Sequence, residues 1–202
     1  MVKLDNVTEG VLDVINDNKF SQTGAFNLRE NGTSICHGDS EHIKIKKKTD
    51  KPGIDIYIDG KTDGEAVYIP VVLSKSGMTD LVYNDFFVED GADVRIVAGC
   101  GIHNSGCNES RHDGIHTFHV GKNANVRYEE KHYGEGDGSG TRVMNPTTVV
   151  YLDEGASIQM ETVQIRGIDS TVRKTKIVCG KGAEAIVTER PVSYTHLRAH
   201  ET

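Results

Sequence analysis

One unit occurs four times between residues 88 and 185 of this sequence. Val88-Glu89-Asp90-Gly91-Ala92-Asp93-Val94 returns as Val120-Gly121-Lys122-Asn123-Ala124-Asn125-Val126 and as Leu152-Asp153-Glu154-Gly155-Ala156-Ser157-Ile158. A fourth copy is Val178-Cys179-Gly180-Lys181-Gly182-Ala183-Glu184-Ala185. The alanines fall at 92, 124, 156 and 183, steps of 32, 32 and 27 residues. Each copy reads as a strand, a corner and a second strand. Gly or Asn supplies the positive φ of a sharp corner, and the small alanine lets successive backbones stack. A strand–corner–strand unit cannot bury its own apolar face, but stacked on its neighbours it can. The repeat therefore predicts an all-β chain: a parallel β-helix, a solenoid flattened to two sheets with the corner at one edge.

The rest of the chain is organised around that core. Leu4, Val7, Val11, Leu12, Val14 and Ile15 follow a 3.6-residue period, so a short N-terminal helical segment is expected within residues 1–20, closing around Asn16 to Asn18. From Gly24 the period becomes two. Segments 42–47 and 54–58 flank Asp50-Lys51-Pro52-Gly53, a turn in which Pro presets φ and Gly tolerates its reversal. The β-helix core spans 21–190. Residues 134–146, rich in Gly and polar side chains, read as a long loop inserted between turns. The tail, 191–202, follows neither period, resembles translated adapter sequence, and receives no function.

Composition narrows the function classes. The 202 residues carry 23 Lys and Arg against 30 Asp and Glu, a net charge of −7. An acidic chain whose one basic block is Lys44 to Lys48 is poorly suited to nucleic acid or to an anionic membrane surface. It has no run of 18 apolar residues to span a bilayer, and its acidic N-terminus does not read as an export signal. A cytoplasmic, reducing setting is expected, with Cys36, Cys100, Cys107 and Cys179 as free thiols. Glycine stands at 22, proline at 4 and tryptophan at zero, a composition of many tight turns between short strands.

Two cysteines and five of the nine histidines crowd between residues 100 and 132: Cys100, His103, Cys107, His112, His116, His119 and His132. Thiolate and imidazole suit zinc, copper or iron–sulfur species rather than calcium or magnesium. On a strand, His116 shares a face with Phe118 and His119 points the other way, so the histidines do not all converge. Cys100 ends an apolar strand between Gly99 and Gly101, which reads as an uncrowded thiol that His103 or His116 activates. Cys36 and Cys179 read as small core residues, and Cys107 as an exposed loop thiol. His103, Cys107, His132 and Glu135 are further candidate metal or sulfur ligands. Asp113, Glu129, Glu130 and Glu135 are available carboxylates.

Five segments in order carry a resemblance: Ile69-Pro70-Val71-Val72-Leu73, Val97-Ala98-Gly99-Cys100, Asp113-Gly114-Ile115-His116, Tyr128-Glu129-Glu130-Lys131-His132-Tyr133 and Met160-Glu161-Thr162. Together with the repeats, they resemble the SufB/SufD family, in its short SufBD form, over about residues 20–190. The resemblance implies a right-handed parallel β-helix and a non-enzymatic scaffold in iron–sulfur cluster assembly that holds a cluster transiently. The implied partners are a SufC-type ABC ATPase, a cysteine desulfurase system, and a second SufB/SufD-like chain in a homo- or heterodimer. Ala98-Gly99-Cys100 matches the family position tied to receiving sulfur, so Cys100 inherits that role, and His116 matches the histidine of the following strand. Family members continue with further turns and a C-terminal helical segment, so the chain reads as a C-terminally truncated fragment, and SufB-like and SufD-like roles both stay open. The alternatives are a β-helix polysaccharide hydrolase or lyase using carboxylates such as Asp113 and Glu135, or a purely structural solenoid.

Overall fold

In the computed structural model, which describes residues 2–17 and 19–191, the four repeats are four stacked corners. The residue before each alanine has positive φ: 77° at Gly91, 55° at Asn123, 70° at Gly155 and 67° at Gly182. The alanine amide then closes the turn onto the carbonyl three residues back, as in Ala124 to Gly121 at 3.2 Å. Ala92, Ala124 and Ala156 are fully buried. Coil is joined to coil by Asn125 N–H to Ala92 O at 2.8 Å, Ser157 N–H to Ala124 O at 2.9 Å and Glu184 N–H to Ala156 O at 2.9 Å. The steps of 32, 32 and 27 residues are thus the coil lengths.

Helix α1 (Asn6–Ile15) leads into two hairpins, β1 (Ala25–Glu30) with β2 (Thr33–Gly38) and β3 (Ile43–Lys47) with β4 (Gly53–Ile58). The coils follow as β5 (Asp63–Tyr68), β6 (Val71–Leu73) and β7 (Thr79–Val88), then β8 (Asp93–His103) and β9 (Ser110–Val120). Next come β10 (Asn125–Glu135), β11 (Arg142–Met144) and β12 (Thr147–Leu152), and finally β13 (Ser157–Arg166), β14 (Ser170–Thr171), β15 (Lys174–Cys179) and β16 (Glu184–Pro191). Strands make up 58% of the chain, wound into a β-solenoid of about four turns. One sheet runs β16-β13-β10-β8-β5-β1-β2, and β6 extends it beside β1 and β8. The other runs β14-β11-β9-β7-β4-β3, and β12 lies between β9 and β15. Among the described residues, all pairings between coils are parallel, and the two hairpins alone are antiparallel.

Alternation along each strand sends every second residue inward. Near the alanine corners the interior is apolar, with Phe86, Phe118, Val94, Val126, Ile96 and Ile158 packed between the sheets. Phe86 and Phe118 stack at 4.4 Å. Each such side chain contributes about 1.5–3 kcal/mol on burial. Farther from the corners the same inward rows turn polar, and there lies the candidate site.

Helix α1 lies outside the first sheet, over β8 and β10. Asp5 caps it, accepting from Thr8 N–H at 2.7 Å, and Asn16 ends it with its N–H on Leu12 O. Val11, Leu12 and Ile15 pack with Leu28, Val72 and Tyr133 in a second, smaller core. Gly99 and Gly101 make this contact possible. A Cβ at Gly99 would stand 2.9 Å from Ile15 Cβ, and one at Gly101 would stand 2.1 Å from Val11 Cγ1. These glycines therefore admit the helix and do not serve to uncover the Cys100 sulfur.

The loop expected as an insertion at 134–146 is not one. Gly136, Gly138 and Gly140 lie directly against Asn104, Gly106 and Asn108 of the preceding coil, each 32 residues earlier. Gly138 N–H bonds Asn104 O at 3.1 Å and Gly140 N–H bonds Gly106 O at 3.0 Å. The segment is a second stacked corner, and its glycines let backbone meet backbone. The tail, 191–202, lies beyond the described residues except for the backbone of Pro191.

Candidate functional site

The polar half of the interior is built by register. Asp80 of β7 stacks under His112 of β9, and Asn84 stacks under His116. From the opposite sheet, Cys100 of β8 pairs with His132 of β10, and Glu130 with Thr162 of β13. All of these side chains are buried. Cys100, His112, His116, Glu130 and His132, with Gly114, Met144 and Pro146, line a cavity of about 10 Å³, close to the least that admits one water. A Cβ at Gly114 would stand 3.3 Å from His112 Nε2 and 3.4 Å from His116 Nε2. The bare glycine is what leaves space between the two rings.

Hydrogen bonds fix most of these groups. Asp80 accepts from Arg29 Nε and Nη2 at 2.9 and 2.6 Å and from His112 Nδ1 at 3.1 Å. Glu130 meets Arg173 Nη2 at 2.5 Å, His132 Nε2 at 3.3 Å and Thr162 Oγ1 at 3.4 Å. His116 has Tyr128 Oη at 2.8 Å on Nδ1 and Asn84 Nδ2 at 3.3 Å on Nε2. Two charged pairs, Arg29–Asp80 and Arg173–Glu130, thus flank a neutral middle.

The electrostatics follow from that layout. Burial opposes the charge on Asp80, but His112 and Arg29 outweigh it and hold the carboxyl well below its usual range. Glu130 is likewise held down, its desolvation outweighed by His132 and Arg173. His116 has no carboxylate in hydrogen-bonding contact, and burial lowers its pKa to about 4, so the ring is neutral at pH 7. Burial pushes the Tyr128 phenol well up. Cys100 is raised well above an ordinary thiol, first by burial and then by the charges of Glu130 and Asp80. The sequence-based expectation of an activated Cys100 thiolate is therefore corrected. The resting residue is a buried thiol, 4% exposed, with two carboxylates nearby that disfavour its ionisation.

The other expected ligands separate. His132 joins Cys100 and His116 around the cavity. His103 and Glu135 lie on the outer side of the first sheet, where His103 Nδ1 meets Glu135 Oε1 at 3.1 Å and Tyr133 Oη donates to Glu135 Oε2 at 2.8 Å. Cys107 is exposed in the loop between β8 and β9. Cys36 is half-buried and packs against the second core, whereas Cys179 is exposed and is not the core residue expected. His119 faces outward on the second sheet, stacked between Phe87 at 5.1 Å and Tyr151 at 5.5 Å. Among the described residues, no group of three or more His, Cys, Asp or Glu side chains is arranged to hold a metal ion.

Asp80, Asn84, Arg29 and Arg173 were not singled out from the sequence, and Glu130 was named only as an available carboxylate, although three of the five were within its reach as site residues. Combining strand parity with the 32-residue step places Asp80 beneath His112 and Asn84 beneath His116, and parity alone puts Glu130 on the face of Val126 and Tyr128. Arg29 reaches Asp80 from a hairpin 51 residues away, and no periodicity signals that. No protein-family model, curated protein or solved structure matches the chain.

Proposed function

We propose that this chain is a scaffold in iron–sulfur cluster assembly, with Cys100 as the sulfur-accepting residue and iron and sulfide as cargo. One observation supports this most: a single thiol, three imidazoles and a carboxylate converge from both sheets on one interior cavity. Soft and borderline donors of this kind match iron and sulfur. In its resting form the site is closed. The cavity has about 10 Å³, too little for a cluster, and the thiol is protonated. Loading then requires the interior to open, which lets water in, lowers the desolvation of Cys100 and frees its thiolate to attack the outer sulfur of a donor persulfide. The donor's S–S bond breaks, the donor leaves as a thiolate, and Cys100 carries the sulfur as a persulfide until a thiol reductant supplies the two electrons that release it as sulfide. On this reading, a SufC-type ATPase is the partner that drives opening, a desulfurase system supplies the sulfur, and a second SufB/SufD-like chain completes the assembly.

The carboxylate-hydrolase alternative finds little support. Asp113 lies on the outer side of the second sheet, paired with Arg111 at 2.8 Å, and Glu135 lies on the outer side of the first. Two carboxylates on opposite faces cannot flank one glycosidic bond.

The test is anaerobic reconstitution with ferrous iron, cysteine, a desulfurase and dithiothreitol as reductant, with a SufC-type ATPase and ATP present, followed by assay of protein-bound iron and acid-labile sulfide. Cys100→Ser should lose both, whereas Cys179→Ser should retain both. Gly114→Ala, which narrows the cavity with a single methyl, should reduce loading while circular dichroism stays unchanged. Equal loading of Cys100→Ser and the unmodified protein would overturn the assignment.

A further inference from the structure

Parallel pairing carries the Cys100 row to Val71 of β6 and on to Arg29 of β1. There, between the two hairpins, lies a pocket of about 410 Å³, separate from the closed Cys100 cavity. It falls in the size range of small-molecule sites. At the ~30 Å³ that one water occupies in the liquid, it has room for roughly a dozen non-hydrogen atoms.

The pocket offers neither apolar surface nor net charge. Ile54, Ile69, Val71 and Val82 are each 5% exposed or less, so a hydrocarbon body would find nothing to lie against. Arg29 is bidentate on Asp80, and at the mouth Lys47 stands against Asp50. Lys51 turns away, its Nζ 4.7 Å from the centre of the Tyr83 ring and beside Asp85. What remains is a set of hydrogen-bonding atoms. Asn27 Oδ1 accepts from Ser34 Oγ at 2.5 Å, Arg29 Nε and Nη2 donate to Asp80, and Asn84 Nδ2 faces His116 Nε2 at 3.3 Å. That leaves Asn27 Nδ2, Arg29 Nη1 and Asn84 Oδ1. Among the described residues these three atoms have no partner, yet none is sealed from open space. The side chains that carry them line the pocket and are more than nine-tenths buried. Polar groups held this deep ordinarily find partners, and here the pocket is where such partners come from.

We infer that this pocket binds a neutral polyhydroxyl molecule of monosaccharide size, held by Asn27, Arg29 and Asn84. Two donors and one acceptor face the same space, and a hydroxyl group both donates and accepts. An ionised carboxylate only accepts, so it cannot answer Asn84 Oδ1, and it meets no uncompensated cation there. Ser34, Asp80 and His116 already fix the three side chains, so binding orders little of the protein. The inference is independent of the iron–sulfur reading.

The test is titration of the ¹⁵N-labelled protein with myo-inositol and D-glucitol, a cyclic and an open-chain polyol, and with cyclohexanol and D-gluconate as controls. With at least one polyol, saturable shifts should fall on the side-chain amide signals of Asn27 and Asn84 and on Arg29 Nε–H. Cyclohexanol, a ring with a single hydroxyl, should bind about tenfold more weakly or worse, and gluconate no more tightly than the better polyol. Asn27→Ala should weaken that polyol by about tenfold with circular dichroism unchanged. Should the variant fail to fold, the shift mapping on the unmodified protein decides. Absence of binding by both polyols, equal binding of cyclohexanol, tighter binding of gluconate, a folded Asn27→Ala of unchanged affinity, or shifts confined to other residues would each overturn the inference.

Discussion

Replacing Glu130 by Gln removes one charge from the centre of the buried polar cluster and leaves its shape almost unchanged. Glu130 is 2% exposed and receives Arg173 Nη2 at 2.5 Å, His132 Nε2 at 3.3 Å and Thr162 Oγ1 at 3.4 Å. Breaking a buried pair by removing one partner costs about 3–5 kcal/mol, because the other charge stays buried without compensation. Here the cost should fall near the low end, about 3 kcal/mol. The Arg173 side chain is 14% exposed and keeps Glu189 as a second partner at 3.4 Å. For a chain of this length, that predicts a fall in melting temperature of about 6–12 °C, measurable by calorimetry or by urea unfolding followed by circular dichroism. The pH dependence has a definite sign. The folded pKa of Glu130 lies well below the ordinary 4.5, so its stabilisation is complete above about pH 4.5 and disappears as pH falls through the folded value. The gap between the unmodified protein and Glu130→Gln should therefore be constant near neutrality and close on acidification. Glu130→Leu/Arg173→Met, which removes both charges, should recover roughly half of the loss or more. A Glu130→Gln protein within ~0.5 kcal/mol of the original, or a double variant less stable than the single one, would refute the picture of a buried, mutually compensated pair.

Native-state alkylation with iodoacetamide at neutral pH should label Cys107 and Cys179 first, Cys36 next and Cys100 last, following exposure; early labelling of Cys100, read by peptide mass spectrometry, would contradict its burial and raised pKa. Ala124→Leu should overpack the corner stack between Ala92 and Ala156 and cost about 1–3 kcal/mol in urea unfolding. Gly101→Ala should displace α1, since its methyl meets Val11 Cγ1 at 2.1 Å; faster amide exchange in Asn6–Ile15, with β8 to β13 still protected, is the expected signature.

The parts of this fold legible from the sequence are those fixed by local covalent geometry. The left-handed residue before each alanine and the coil length it sets are visible in the sequence because a corner needs both, whatever packs around it. The hairpin of β3 and β4 was legible for the same reason, through Pro52-Gly53. What eluded the sequence depends on contacts between distant segments. Gly99 and Gly101 look like room for a thiol until α1, more than 80 residues earlier in the chain, is seen to lie on them. Gly136, Gly138 and Gly140 look like a slack loop until Asn104, Gly106 and Asn108 are placed beneath them. Cys179 looks like a core residue by strand pattern, yet it is exposed on β15, in the last coil of the described chain. Within the candidate site, Cys100 and His116 line one cavity, whereas His103, the other neighbour expected for Cys100, faces outward to Glu135, and the activation expected of Cys100 does not follow, because burial and two carboxylates act on the thiol together.

The two sides of the Cys100 cavity are not equally secured, and that asymmetry bears on how the proposed loading proceeds. On the first sheet, Cys100 and His132 sit on eleven-residue strands, β8 and β10, paired in unbroken parallel register from Asp93 with Asn125 to His103 with Glu135. Helix α1 clamps their outer face through Val11 and Ile15. On the second sheet, His112, Gly114 and His116 sit on eleven-residue β9, but Met144 and Pro146 complete the wall where the chain breaks between three-residue β11 and six-residue β12. Pro146 has no N–H to give to a ladder, and β14, the next strand outward from β11, is only two residues long. A wall with few ladder hydrogen bonds opens locally at lower cost than one inside a long continuous sheet. On the scaffold reading, access to Cys100 therefore comes from the β11–β12 break, and the β8–β10 side stays fixed as the surface that holds the thiol.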